Sequence, residues 1–140
     1  MMANAAAKKA EVILRVKERL DSCDKLFKKM GDKKSWFNNI PQDYPLPVIR
    51  FRFSQGTEWD TKDSVGWEGV LTFDAWTDAR NDGFALEISD IIEELFHDKE
   101  LGLEQGGQNL LLRHTFFDAF TEPDGITHHS VTQFAVTITN

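Results

Sequence analysis

The sequence predicts an α+β fold. Its core is a four-stranded, mainly antiparallel sheet with helices packed on one face, in the order α-β-β-α-β-β. Three observations carry this. Two segments, near residues 4–30 and 78–97, repeat apolar side chains at three- and four-residue steps, the helical period. Four segments, near 48–54, 67–76, 109–118 and 128–138, are strand-like and rich in β-branched and aromatic residues. Between the last two, Glu122-Pro123-Asp124-Gly125 is a strong turn signal. At 140 residues the chain has the length of one domain.

The first helix carries Val12, Ile13, Val16, Leu20, Cys23, Phe27 and Met30 on one stripe, with Gly31 as a natural stop. Cys23 on that stripe reads as a small buried hydrophobe. Residues 1–31 form this helical unit, 35–47 a packed Pro-rich connector, and 48–140 the sheet and second helix. Pro41, Pro45 and Pro47 forbid a regular helix in the connector. Its Trp36, Phe37, Ile40 and Tyr44 are too apolar for a free linker.

The first strand alternates Ile49, Phe51 and Phe53 against Val48, Arg50 and Arg52. The second sets Leu71, Phe73 and Ala75 against Val70, Thr72, Asp74 and Trp76. The intervening Gln55 to Gly66 is long and polar for a hairpin connection, so it is expected to be an exposed arm. In the second helix Phe84, Ile88, Ile91, Ile92, Leu95 and Phe96 form the stripe, with Thr77 or Asp78 as cap.

Charge is unevenly distributed. Residues 1–34 hold ten Lys and Arg against five Asp and Glu, a net of +5, and the remainder is net −12. A body this acidic repels phosphate, which disfavours nucleic-acid binding as the main task. One cysteine excludes an intramolecular disulfide framework and a multi-Cys metal knuckle. No apolar run reaches the length of a membrane span and no secretory h-region is present, so a soluble intracellular protein is expected.

No chemical motif emerges. His128 and His129 are adjacent and point to opposite faces of a strand, so they cannot share one metal without distortion. Glu68 and Asp74 share a strand face about 20 Å apart, too far for acid–base partnership. Ser, His and Asp are present without a nucleophile elbow, and Gly106-Gly107 is too short for a phosphate loop. No catalytic residue, metal ligand or cofactor is assigned. Binding or assembly is favoured over catalysis.

Several segments in order resemble one family. These are Leu46-Pro47-Val48-Ile49-Arg50-Phe51, the polar stretch with Thr57, Asp60 and Asp63, and Val70-Leu71-Thr72-Phe73-Asp74-Ala75-Trp76. Thr77-Asp78-Ala79-Arg80, the helix ending Ile91-Ile92-Glu93-Glu94-Leu95, and the closing hairpin Phe117 to Ile138 follow. Together they resemble the tail-terminator, or tail-completion, family of long non-contractile phage tails, also found in prophages and gene-transfer particles. The resemblance implies a non-enzymatic virion protein at the tail end next to the head, assembled in the host cytoplasm. It implies a ring, usually of six copies, that ends tube polymerisation and offers a surface to the head–tail connector. Its partners would be itself, the tube protein and the connector; DNA would cross the lumen without specific binding, and no membrane is involved.

On that reading, the arm residues Thr57, Glu58, Trp59, Asp60, Lys62 and Asp63 reach a neighbour or the tube. Trp59 is the aromatic anchor, unless it folds back onto the sheet. Arg50 and Arg52 on the first strand and Lys8, Lys9, Arg15, Lys17 and Arg19 on the basic helix complete the expected interface. Two other readings stand beside it: another head–tail joining or minor tail protein of similar fold, and a small enzyme with an acidic cleft.

Overall fold

The computed structural model describes residues 5–60, 65–80, 83–102 and 109–139. Its helices are α1 (Ala5–Asp21), α2 (Asp24–Lys29) and α3 (Phe84–Phe96). Its strands are β1 (Trp36–Phe37), β2 (Val48–Asp60), β3 (Val65–Asp78), β4 (Glu100–Gly102), β5 (Asn109–Thr121) and β6 (Thr127–Thr139).

The sheet is therefore six-stranded and mixed, in the order β1-β2-β3-β6-β5-β4, not the four-stranded, mainly antiparallel sheet expected. β1 runs parallel to β2, and every other neighbouring pair is antiparallel. The two added strands have two and three residues, too short to show a period of two. Trp36 is held by tertiary contacts instead: it is buried, and its indole N–H donates to Asp21 at 2.7 Å. In the connector, Ser35 and Tyr44 share a hydroxyl hydrogen bond of 2.8 Å.

The long first helix is interrupted. Cys23 has extended backbone at φ −93° and ψ 96°, and it separates α1 from α2. The change of direction lets Leu20 on one side and Leu26 and Met30 on the other enter a single core. Gly31, at φ 81°, ends α2 in a Schellman arrangement. Asp32 N–H donates to Phe27 C=O and Gly31 N–H to Lys28 C=O.

The expected arm is strand. β2 and β3 remain paired through Glu58↔Trp67, Trp59↔Gly66 and Asp60↔Val65, with a register shift between Gln55 and Glu58. Such a bulge absorbs an extra residue, so the ladder continues through a stretch whose sequence shows no clean alternation. Residues 61–64 lie outside the described residues. At the other end of β3 the ladder with β6 continues to Asp78↔Thr127. It claims residues expected to start the second helix, which begins at Phe84 after Gly83 at φ 83°.

All three helices pack on one face of the sheet, α1 over β1 and β2 and α3 over β3, β6 and β5. The core between the layers joins Val16, Leu20, Ile88 and Phe96 to Phe53, Leu71, Phe73 and Phe134. Phe73 sits 5.2 Å from Phe96 and 5.8 Å from Phe134 between ring centroids. Gly69 is required by close approach: a Cβ there would lie 2.6 Å from Phe53 and 2.7 Å from the Ser54 carbonyl.

Candidate assembly surfaces

Among the described residues, no helix covers the second face of the sheet. Alternation brings Arg50 and Arg52 of β2, Asp74 and Trp76 of β3, His129 of β6 and Phe120 of β5 onto it. They meet around Asp74, whose side chain is only 3% exposed. Arg50 Nη2 reaches Asp74 Oδ2 at 3.0 Å, and Arg52 Nε reaches the same oxygen at 3.4 Å. His129 Nε2 lies 2.8 Å from Asp74 Oδ1, and its Nδ1 lies 2.9 Å from Glu122 Oε1. Carboxylates only accept, so each contact is a hydrogen bond where the facing ring nitrogen carries the proton. Trp76 stacks on His129 at 4.6 Å and lies beneath the Arg50 guanidinium at 5.1 Å.

Burial acts to raise the Asp74 pKa, but the hydrogen bonds from His129 and Arg50 and the charges of both arginines outweigh it. The carboxyl is held below its ordinary range. Asp78 is pushed down to about 2 by the Arg80 side chain and backbone N–H that it accepts. Asp124 is lowered by the backbone N–H of Ile126 and the hydroxyl of Thr127, which pins the β5–β6 turn.

The helical layer is divided by charge. On α3 the acidic Glu87, Asp90, Glu93 and Glu94 stand outward with no basic residue in the helix. Opposite, α2 presents Lys25, Lys28 and Lys29. A groove of about 530 Å³ runs between them, crossed by Lys25–Glu94 at 3.4 Å and by a Lys29–Glu87 pair. The two charged rows thus face each other within one copy.

The structure separates the expected interface residues into several groups. Arg50 and Arg52 come together, on Asp74. Arg15 pairs with Glu11 at 3.8 Å and Glu18 at 2.9 Å, and Lys17 pairs with Asp21 at 2.8 Å. Arg19 reaches the carbonyls of Leu95 and Glu100 at 3.5 Å, tying α1 to the far side of the core. Lys9 is exposed on α1, and Lys8 lies in the same helix. Thr57, Glu58, Trp59 and Asp60 fall on the outer half of β2, and Lys62 and Asp63 lie outside the described residues. Sequence reasoning missed Asp74, Glu122 and His129 as one cluster. The period-two alternation of Arg50, Arg52, Asp74 and Trp76 was the available signal, but it could not supply the register.

Among the described residues, no group of three or more His, Cys, Asp and Glu side chains is placed to hold a metal ion. His114 lies against His97 and Glu93, with its backbone N–H donating to His97 Nδ1 at 3.0 Å. No described helix is long and apolar enough to cross a membrane.

An uncovered sheet face and exposed apolar side chains at Phe116, Phe120 and Ile126 make a surface suited to packing against other proteins. The chain belongs to the tail-completion family: residues 24–139 match the family model of tail completion protein gp17. It is a phage-tail structural protein. The fold is similar to that of a chain from the virion of a native gene transfer agent particle, at 16% identity and a TM-score of 0.74. That match covers 99% of this chain and 100% of the other. A second solved chain, at 11% identity, aligns with a TM-score of 0.65 over 98% of this chain and 96% of its own length. No curated protein matches the sequence.

Proposed function

We propose that this protein closes as a ring on the finished tail tube, next to the head. It stops tube-protein polymerisation there and presents the surface to which the head–tail connector docks. It acts without catalysis, on partners met in the host cytoplasm, and DNA crosses its lumen without specific binding. The copy number proposed is six.

The observation that carries the ring is a sheet with two unlike ends, β1 at one and β4 at the other. A closed cyclic assembly needs two unlike, complementary surfaces on each copy. Here β1 runs parallel to β2 at one end of the sheet and β4 antiparallel to β5 at the other, so a copy presents a different edge to each neighbour. Head-to-tail contact would set one edge against the other. Family membership supports the tail as the place where this happens.

The test is to produce particles without this protein. Tails of uncontrolled length that fail to join filled heads are the expected phenotype. Normal-length tails that remain unjoined would reduce the role to joining. Normal-length tails joined to heads would remove it.

A further inference from the structure

The sheet leaves two stretches of strand edge open. On the side away from β3, β1 pairs only with Ile49 and Arg50, and no described strand pairs with Ser54–Asp60. On the side away from β6, β4 pairs only with Asn109–Leu111, and no described strand pairs with Thr115–Thr121. Open edges of this kind are templates for another strand. The β5 edge is not defended by Lys or Pro. Its sequence, Thr115-Phe116-Phe117-Asp118-Ala119-Phe120-Thr121, carries one charge, and Phe116 and Phe120 are exposed beside it. The outward Ala119 N–H is taken only by the neighbouring Asp118 side chain at 2.9 Å.

We propose that the ring closes by strand addition: Ser54–Asp60 of one copy pairs with Thr115–Thr121 of the next. This rests on the ring reading above and names the contact within it. Three antiparallel steps separate β2 from β5, so the two edges run in opposite directions. A sheet continued from one copy into the next therefore forms an antiparallel ladder. The short strands β1 and β4 block the other halves of the same two edges, which fixes the offset. Asp118 lies level with Arg50 through Val131 and Asp74, whereas the open β2 edge is centred on Thr57.

Aligning the two centres shifts each copy by about six strand levels, roughly 20 Å, along its neighbour. Four long strands per copy span about 19 Å across the ladder. A closed ring absorbs that offset if the strands tilt about 45°, at the upper end of the tilt usual in closed β-barrels.

The experiment uses the full chain in a Cys23→Ser background, assembled on tails. Thr57→Cys or Glu58→Cys is combined with Asp118→Cys or Ala119→Cys, and products are resolved without reductant. A covalent ladder ending at the ring's copy number is expected from at least one pair. Separately, Ala119→Pro removes an outward N–H on an exposed edge. It should lower the ring fraction at least about tenfold while the monomer's unfolding midpoint is unchanged. Complete rings with no cross-link from any of the four pairs, or normal rings from Ala119→Pro, would overturn edge pairing and leave the ring intact. Absence of rings from the unsubstituted protein on tail ends would remove both readings.

Discussion

Replacing Asp74 by Asn keeps the shape of the central cluster and removes its charge. Breaking a buried ion pair by deleting one partner costs roughly 3–5 kcal/mol when the other charge is trapped. Here Arg50 and Arg52 are 37% and 52% exposed and can turn to water, so their share is strongly discounted. His129, at 14%, cannot, and it would retain only Glu122 as an anionic partner. We expect a loss of about 2 kcal/mol, or near 8 °C in midpoint for a domain of this size. Urea unfolding at pH 7 measures it. The pH dependence gives a second reading with a definite sign. The Asp74 carboxyl is lowered in the folded state, so its contribution is full above the unfolded value near 4 and declines as pH falls through the lower folded value. The unsubstituted protein should therefore lose stability below about pH 4, and Asp74→Asn should flatten part of that decline. A cost under about 0.5 kcal/mol at pH 7, with an acid limb unchanged by the substitution, would refute the assignment of Asp74 as the charged centre of this face.

Gly69→Ala should destabilise by about 1–3 kcal/mol, because the new methyl meets the Ser54 backbone carbonyl as well as the Phe53 ring. Denaturant midpoints decide this, and a neutral result would mean that β2 yields locally. Phe73→Ala should cost about 3–5 kcal/mol by emptying the space shared with Phe96 and Phe134. Asp90→Lys with Glu94→Lys should leave stability within about 1 kcal/mol, since both are exposed, yet impair tail assembly. Quantitative electron microscopy of joined particles is the readout. Raising salt should weaken ring formation more than folding, because exposed pairs are screened while the core is not. Sedimentation and unfolding midpoints across a salt series compare the two.

The parts of the fold legible in the sequence were those with a long period. Ile49, Phe51 and Phe53, Leu71 and Phe73, and the stripes of α1 and α3 all face one core, as alternation and the 3.6-residue repeat require. Three things were not legible. Strands of two and three residues contain too little sequence to show alternation, so β1 and β4 were hidden in a connector and a loop. The outer half of the β2–β3 hairpin looked like a loop because its polar sequence and the extra residue at the bulge break the period-two signal. The helix break at Cys23 leaves the apolar spacing almost undisturbed, so periodicity alone reads through it. The site was half legible. Arg50 and Arg52 were marked for their charge, but their partner is a carboxylate on the adjacent strand, fixed by a register that spacing does not encode.

Asp74, His129 and Glu122 are the residue types of an acid–base centre, yet their geometry argues for a mechanical role. A general base needs a free lone pair, and both His129 nitrogens point at carboxylates. A general acid needs access to a substrate, but Trp76 and Phe120 lie against the ring, and Asp74 is enclosed. What the cluster does instead is cross-link. It joins β2 through Arg50 and Arg52, β3 through Asp74, β6 through His129 and the β5–β6 turn through Glu122, all on the face that no described helix supports. The opposite face is held by the aromatic core under α1 and α3. The strands between the two open edges are thus tied to one another on both faces.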